Sequence, residues 1–134
     1  TDSTQKTKSR KEQSILRKYL FGNEKKSSCH ICGKNYPVTM LVAAHIKKRS
    51  SCSDKERKDL NVVMSACKFG CDELYEQSYI YINEHGVLKK STFPNNSAIN
   101  NYVANILEKK CQIFSDENKI YFEWHRKHKK RFMK

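Results

Sequence analysis

Two cysteine pairs are the sharpest chemical signal in the chain. Cys29 and Cys32 form Cys-His-Ile-Cys, followed by Gly33 and Lys34, and Cys67 and Cys71 form Cys-Lys-Phe-Gly-Cys. Thiolates two or three residues apart on a tight turn suit the knuckles that bind zinc, and two such pairs make a closed tetrahedral structural site. His30 or Cys52 could replace one thiolate; otherwise Cys52 and Cys111 are left over. Disulfides are the rival reading, but no secretory signal argues for an oxidising compartment. A redox Cys-x-x-Cys would open a helix in a βαβ unit, and no such unit is visible.

A second set of residues lies between and after these pairs. Leu41-Val42-Ala43-Ala44-His45-Ile46 reads as a short buried strand with His45 near its end. After a polar loop, Asn61 opens a second strand, Asn61-Val62-Val63-Met64. Cys67 to Gln77 reads as a short helix on which Asp72 and Glu76, four residues apart, share one face. One His with nearby Asn and carboxylate groups is what a one-metal phosphodiesterase needs. The imidazole deprotonates water while oxygen ligands hold a hard Mg²⁺ or Mn²⁺ ion against the scissile phosphate. Taken singly, His45 reads more simply as a structural histidine and Asn61 as a turn residue. Their placement between two cysteine pairs favours the chemical reading.

The charge balance points to a polyanionic partner. Lys and Arg number 27 against 14 Asp and Glu, a net charge of +13 in 134 residues. The basic residues gather in segments: Lys6 to Lys18, then Lys47, Lys48 and Arg49, then Arg126 onward through Lys127, Lys129, Lys130 and Arg131. Discrete basic segments around a balanced centre suit a groove for a phosphate backbone, with a merely solvated lysine-rich surface as the plainer alternative. At 37% hydrophobic the chain supports one small core, of the kind often stapled by a metal. No apolar run approaches the roughly 20 residues of a membrane-spanning helix, so no membrane partner and a cytoplasmic, intracellular location are expected.

The remaining elements follow from pattern. Residues 1–9 read as a disordered basic tail and 10–134 as one domain, with its core at about 27–90. A hairpin is expected from Ser78 through the Asn83-Glu84-His85-Gly86 turn to Leu88. Ser97 to Lys110 reads as an amphipathic helix capped by Ser97, opening a C-terminal helical region at 97–134. There Tyr121, Phe122 and Trp124 read as core, while His125 and His128 read as phosphate contacts or as residues without a role.

Several of these features, in this order, resemble HNH endonucleases of the His-Me finger (ββα-metal) superfamily. The resemblance runs over about residues 10–90. It is carried by the helix Arg10-Lys11-Glu12-Gln13-Ser14-Ile15-Leu16-Arg17, the Cys29–Gly33 knuckle and the Ala43-Ala44-His45-Ile46 strand. The Asn61-led strand and Leu74-Tyr75-Glu76 before Tyr79-Ile80-Tyr81-Ile82 complete it. It implies an α+β fold: a ββα-metal core with a four-cysteine structural zinc site and flanking helices. It also implies hydrolysis of DNA to 5′-phosphate and 3′-hydroxyl ends, in a restriction or antiphage setting in a bacterium or phage. By the same resemblance His45 is the general base. Asn61 ligates the catalytic ion or orients its loop, and Asp72 takes the third position, with Glu76 as the alternative. Ala44 stands where many relatives have an acidic residue, so that position supplies no ligand. A single site would cut both strands only as a homodimer or in two nicks, and a start at Thr1 suits a piece of a longer chain with a recognition domain. The competing expectations are a non-catalytic, zinc-stabilised nucleic-acid-binding module and a zinc-stapled protein-interaction domain.

Overall fold

The architecture is built around one buried hairpin. In the computed structural model, which describes residues 2–130 and 132, β3 (Leu41–His45) pairs antiparallel with β4 (Val63–Cys67). Leu41 faces Cys67 at one end and His45 faces Val63 at the other. Every residue of β4 is buried, as its near-continuous apolar sequence demands. Two smaller hairpins flank it: β1 (Lys26–Ser28) with β2 (Asn35–Pro37), and β5 (Ile80–Ile82) with β6 (Leu88–Lys90). The result is a small mixed α+β fold with short antiparallel strand pairs.

Helices close the hairpin. The first, α1 (Asp2–Phe21), packs on β3 and β4. Arg17 anchors it, donating from Nη1 to the Leu41 carbonyl at 2.8 Å and from Nη2 to the Val38 carbonyl at 3.0 Å. The helix takes in residues 2–9, expected to be disordered; no Gly or Pro interrupts the run, so the helix of residues 10–21 continues through it. A short α2 (Asp54–Lys58) lies in the loop between β3 and β4, opened by a capping box between Ser53 and Glu56. Helix α3 (Cys71–Glu76) begins four residues later than expected, because Cys67 still belongs to β4 and residues 68–70 form the turn of the second knuckle.

The C-terminal third departs most from its expected boundaries. Helix α4 (Ser97–Ala104) is capped by Asn96, whose side-chain oxygen accepts the Ile99 N–H, rather than by Ser97. It stops at Ala104 instead of Lys110; Glu108 takes a φ of +68° and Lys110 bridges to Val87. Helix α5 (Lys119–Lys127) packs on β5 and buries Tyr121, Phe122 and His125. No helix among the described residues is long and apolar enough to cross a membrane.

Leu16 and Ile15 test the docking of α1. Leu16 is 2% exposed and Ile15 is 61% exposed. Leu16→Ala should cost about 2–5 kcal/mol and Ile15→Ala no more than about 0.5 kcal/mol in chemical denaturation. Equal effects would mean that α1 does not seat as described.

Candidate metal centre and cleft

The four paired cysteines converge. Cys29, Cys32, Cys67 and Cys71 are all buried, and their sulfur atoms lie within 4.8 Å of one another. This set could hold a metal such as zinc, since four sulfurs at about 2.3 Å from one ion fit inside that spread. Local geometry explains the convergence. Gly33, at a φ of +78°, closes the first turn, with its N–H on the Cys29 carbonyl and the Cys32 N–H aimed at the Cys29 sulfur. Ser65 of β4 then stitches this turn to the hairpin. Its carbonyl accepts the His30 N–H, its own N–H donates to His30 Nδ1, and its hydroxyl donates to the Ser28 carbonyl. His30 is thereby engaged away from the thiols. Cys52 is also elsewhere, beside the Lys47 carbonyl, and Cys111 is buried outside the set.

Crowding shapes the thiols' acidity. Hydrogen bonding to Cys29 brings Cys32 down to about 6 and pulls Cys67 well below the usual thiol range. The same exchange pushes Cys29 and Cys71 up. Such a cluster shares its protons until a cation replaces them. Tyr102 of α4 completes it, with its hydroxyl 3.2 Å from the Cys71 sulfur and 3.5 Å from the Cys67 sulfur. A Cβ on Gly70 would lie 2.6 Å from the Tyr102 ring, so the glycine makes room for this contact. The sequence offered no sign of Tyr102 beyond its place on an apolar helix face.

A cleft of about 720 Å³ opens beside the His45 end of the hairpin. His45, Asp72 and Glu76 all line it, together with Lys48, Arg49 and Lys130. The His45 ring is half-buried; burial, then the nearby Arg49 charge, lowers its pKa, against a smaller opposing pull from Glu12. Its Nε2 is shielded and without a hydrogen-bond partner among the described residues. Burial, then the neighbouring Glu76 and Glu73 charges, pushes the Asp72 carboxyl up to about 6. His45, Asp72 and Glu76 do not form a ready three-ligand cage. Among the described residues, the cysteine set is the one group of three or more His, Cys, Asp or Glu ligand atoms close enough to share an ion.

Asn61 stands off the cleft lining, in a 3₁₀ turn at Leu60–Val62 just before β4. Its backbone N–H and side-chain amide both donate to Asp59 Oδ1, at 2.9 and 3.1 Å. The other Asp59 oxygen accepts the Tyr121 hydroxyl at 2.6 Å, which ties this loop to α5. Although burial opposes it, these bonds hold the Asp59 carboxyl below its ordinary range.

The basic residues divide into free and engaged. Lys47 pairs with Glu56 at 3.0 Å, and Arg49 meets Glu12 through Nη2 at 2.5 Å and Nε at 2.9 Å. Lys127 pairs with Glu123 at 3.3 Å, and Lys129 sits 4.2 Å over the Tyr81 ring. Lys48 and Lys130 are exposed on the cleft rim, where Lys130 Nζ reaches Gln77. Arg131 lies outside the described residues.

Helix α5 and the residue that follows it add two further imidazoles to the cleft. His128 stacks on Trp124 at 4.1 Å, and both line it. His125 is 7% exposed, and its Nε2–H donates to the Tyr75 carbonyl at 2.7 Å, which leaves the buried Nδ1 without a partner among the described residues. Burial lowers its pKa to about 4.

Two outcomes follow from this geometry. Tyr102→Phe should weaken metal retention about 10- to 100-fold in chelator competition, as loss of an outer hydrogen bond to a ligand does, with the fold kept while metal is bound. Unchanged retention would show that the hydroxyl is idle. The second concerns His125. Its pKa is lowered on folding, so between pH 6.5 and about 4 the unfolded chain takes up a proton that the folded chain refuses. Stability should therefore fall as pH drops through that window, and less so in His125→Phe, as read by melting temperature against pH. Identical slopes would place the His125 ring in water.

No family model matches the chain, and no curated protein matches it.

Proposed function

We propose that this chain is a metal-dependent DNA endonuclease of the HNH kind, stabilised by zinc in the four-cysteine set. The observation that carries this reading is the cleft. It brings an imidazole held toward its neutral form, His45, together with two carboxylates one helical turn apart, Asp72 and Glu76, under a basic rim. The order hairpin, then helix, with His45 at the far end of the hairpin from the cysteines, supports a ββα-metal core.

Each residue then has a task. His45 accepts a proton from the attacking water, which a neutral imidazole can do at physiological pH. Asp72 and Glu76 present anionic oxygens to a Mg²⁺ or Mn²⁺ ion. That ion is usually held by one or two carboxylates with water and substrate phosphate, so the lack of a three-ligand cage is no obstacle. When bound, it supplies positive charge against the charge that develops on phosphate and on the 3′-oxygen. Asn61, turned to Asp59, holds the loop rather than the ion. Lys48 and Lys130 meet the backbone phosphates, and the exposed Lys6, Lys8, Arg10 and Lys11 of α1 extend the basic surface. The products carry 5′-phosphate and 3′-hydroxyl ends. Restriction or antiphage defence, in the bacterial or phage cytoplasm, is the setting we infer. Double-strand cutting comes from a homodimer or two nicks, with site choice supplied by a further domain.

The second reading is a zinc-stabilised nucleic-acid-binding module without catalysis. It is favoured by the cysteine set being the single ready metal group among the described residues.

A supercoiled-plasmid assay with Mg²⁺ or Mn²⁺ separates the two. Wild type should nick, and His45→Ala should lose on the order of 10² to 10⁴ in rate while keeping its metal and its DNA affinity. Binding without nicking by wild type would support the second reading. In Mg²⁺ titrations, Asp72→Ala and Glu76→Ala should each raise the concentration needed; if neither does, the carboxylates hold no ion. DNA affinity should fall steeply with salt, and neutralising Lys48 or Lys130 should reduce the salt slope by about 1 each. Lys47→Gln, which removes a residue paired with Glu56, should change it less. An unaltered slope in Lys48→Gln and Lys130→Gln would move the DNA to another face.

A further inference from the structure

We propose that Tyr75 and His125 are positioning residues that hold the exit of β3, and with it His45, at a fixed distance from the carboxylates of α3. The consequence of this positioning for cleavage rests on the nuclease reading.

Three elements meet on one side chain. Tyr75 lies between Asp72 and Glu76 on α3 and is 3% exposed. Its hydroxyl donates to the carbonyl of Ile46, the residue after His45, at 2.8 Å. From the other side, His125 of α5 stacks on the Tyr75 ring at 3.7 Å and 11°, and donates from Nε2 to the Tyr75 carbonyl at 2.7 Å. Phe122 meets the same ring edge-on at 6.4 Å.

Packing alone would be served by a phenyl ring. The hydroxyl adds a directional bond in a water-free setting, where length and angle are enforced more strongly than in solvent. It also fills the need of the buried Ile46 carbonyl, which would otherwise be costly to leave unpaired. A helix of six residues has little stability of its own, so its placement must come from such tertiary contacts. His125 supplies the second anchor, on the last turn of α3. The same last turn and the β3 exit carry groups that line the cleft, so a shift at Tyr75 is a shift between His45 and Asp72 or Glu76.

The experiment uses the metal-loaded chain and two variants that keep an aromatic ring, Tyr75→Phe and His125→Phe. The first readout is the titration of the His45 imidazole by NMR, which needs no activity. The second is single-turnover plasmid nicking at saturating Mg²⁺, beside DNA affinity. We expect the His45 titration midpoint to rise toward that of a solvated histidine in both variants. Nicking should slow about 10- to 100-fold, the size of effect that a small misplacement of reacting groups produces, with DNA affinity unchanged. Variants that melt at lower temperature but keep the wild-type His45 titration and the wild-type rate would overturn the proposal. If wild type fails to nick while the His45 titration still moves in both variants, the nuclease reading falls and the positioning role stands.

Discussion

Everything in this fold depends on four thiols being brought to one point. Cys29 and Cys32 come from the turn between β1 and β2, Cys67 ends β4, and Cys71 begins α3. The cluster therefore joins the first small hairpin, the central hairpin and the helix that follows. The Ser65 bonds to His30 and Ser28 and a small apolar core join them as well, and in a chain that is 37% hydrophobic a metal would add to these few contacts. Four crowded thiols without a cation would set sulfur against sulfur in a buried space. A bound metal such as zinc turns the same crowding into folding free energy.

The cluster also decides where the cleft can form. Cys67 and Cys71 fix the angle at which α3 leaves β4, and α3 then returns along the hairpin until the Tyr75 hydroxyl reaches the Ile46 carbonyl. Asp72 sits one residue from the metal set and Glu76 one turn farther on, so both carboxylates take their place from the cysteines. Helix α5 closes the arrangement from outside, through His125 on Tyr75 and Tyr121 on Asp59. In the proposed reaction, a metal held by the cysteines would do no chemistry, yet it would set the distance between a base and the residues proposed to hold an ion.

The local parts of this design were legible in the sequence. The cysteine pairs announce themselves by spacing, and the Leu41–His45 strand by its apolar run. Asp72 and Glu76 share a helix face for reasons of periodicity alone. What escaped depends on contacts far apart in the chain. Tyr102 reads as part of an apolar helix face and His125 as a phosphate contact or a residue without a role, because nothing local says that one meets Cys71 and the other Tyr75. Lys47 and Arg49 read as free cations, and only the fold brings Glu56 and Glu12 to them. The turn over residues 105–108, with Glu108 at a positive φ, shortened a helix whose apolar periodicity continues past its end. The α1 extension had the opposite cause, since residues 2–9, polar and rich in Ser and Thr, carry no apolar stripe to betray a helix.

The dependence of the cleft on the thiolate cluster can be measured directly. Hydrogen exchange would be followed by mass spectrometry on the metal-loaded chain and on the same chain after chelation under native conditions. Amides of β3, β4 and α3 should lose their protection when the metal leaves, together with the Tyr75–Ile46 contact. Full protection of those three elements in the metal-free chain would contradict it.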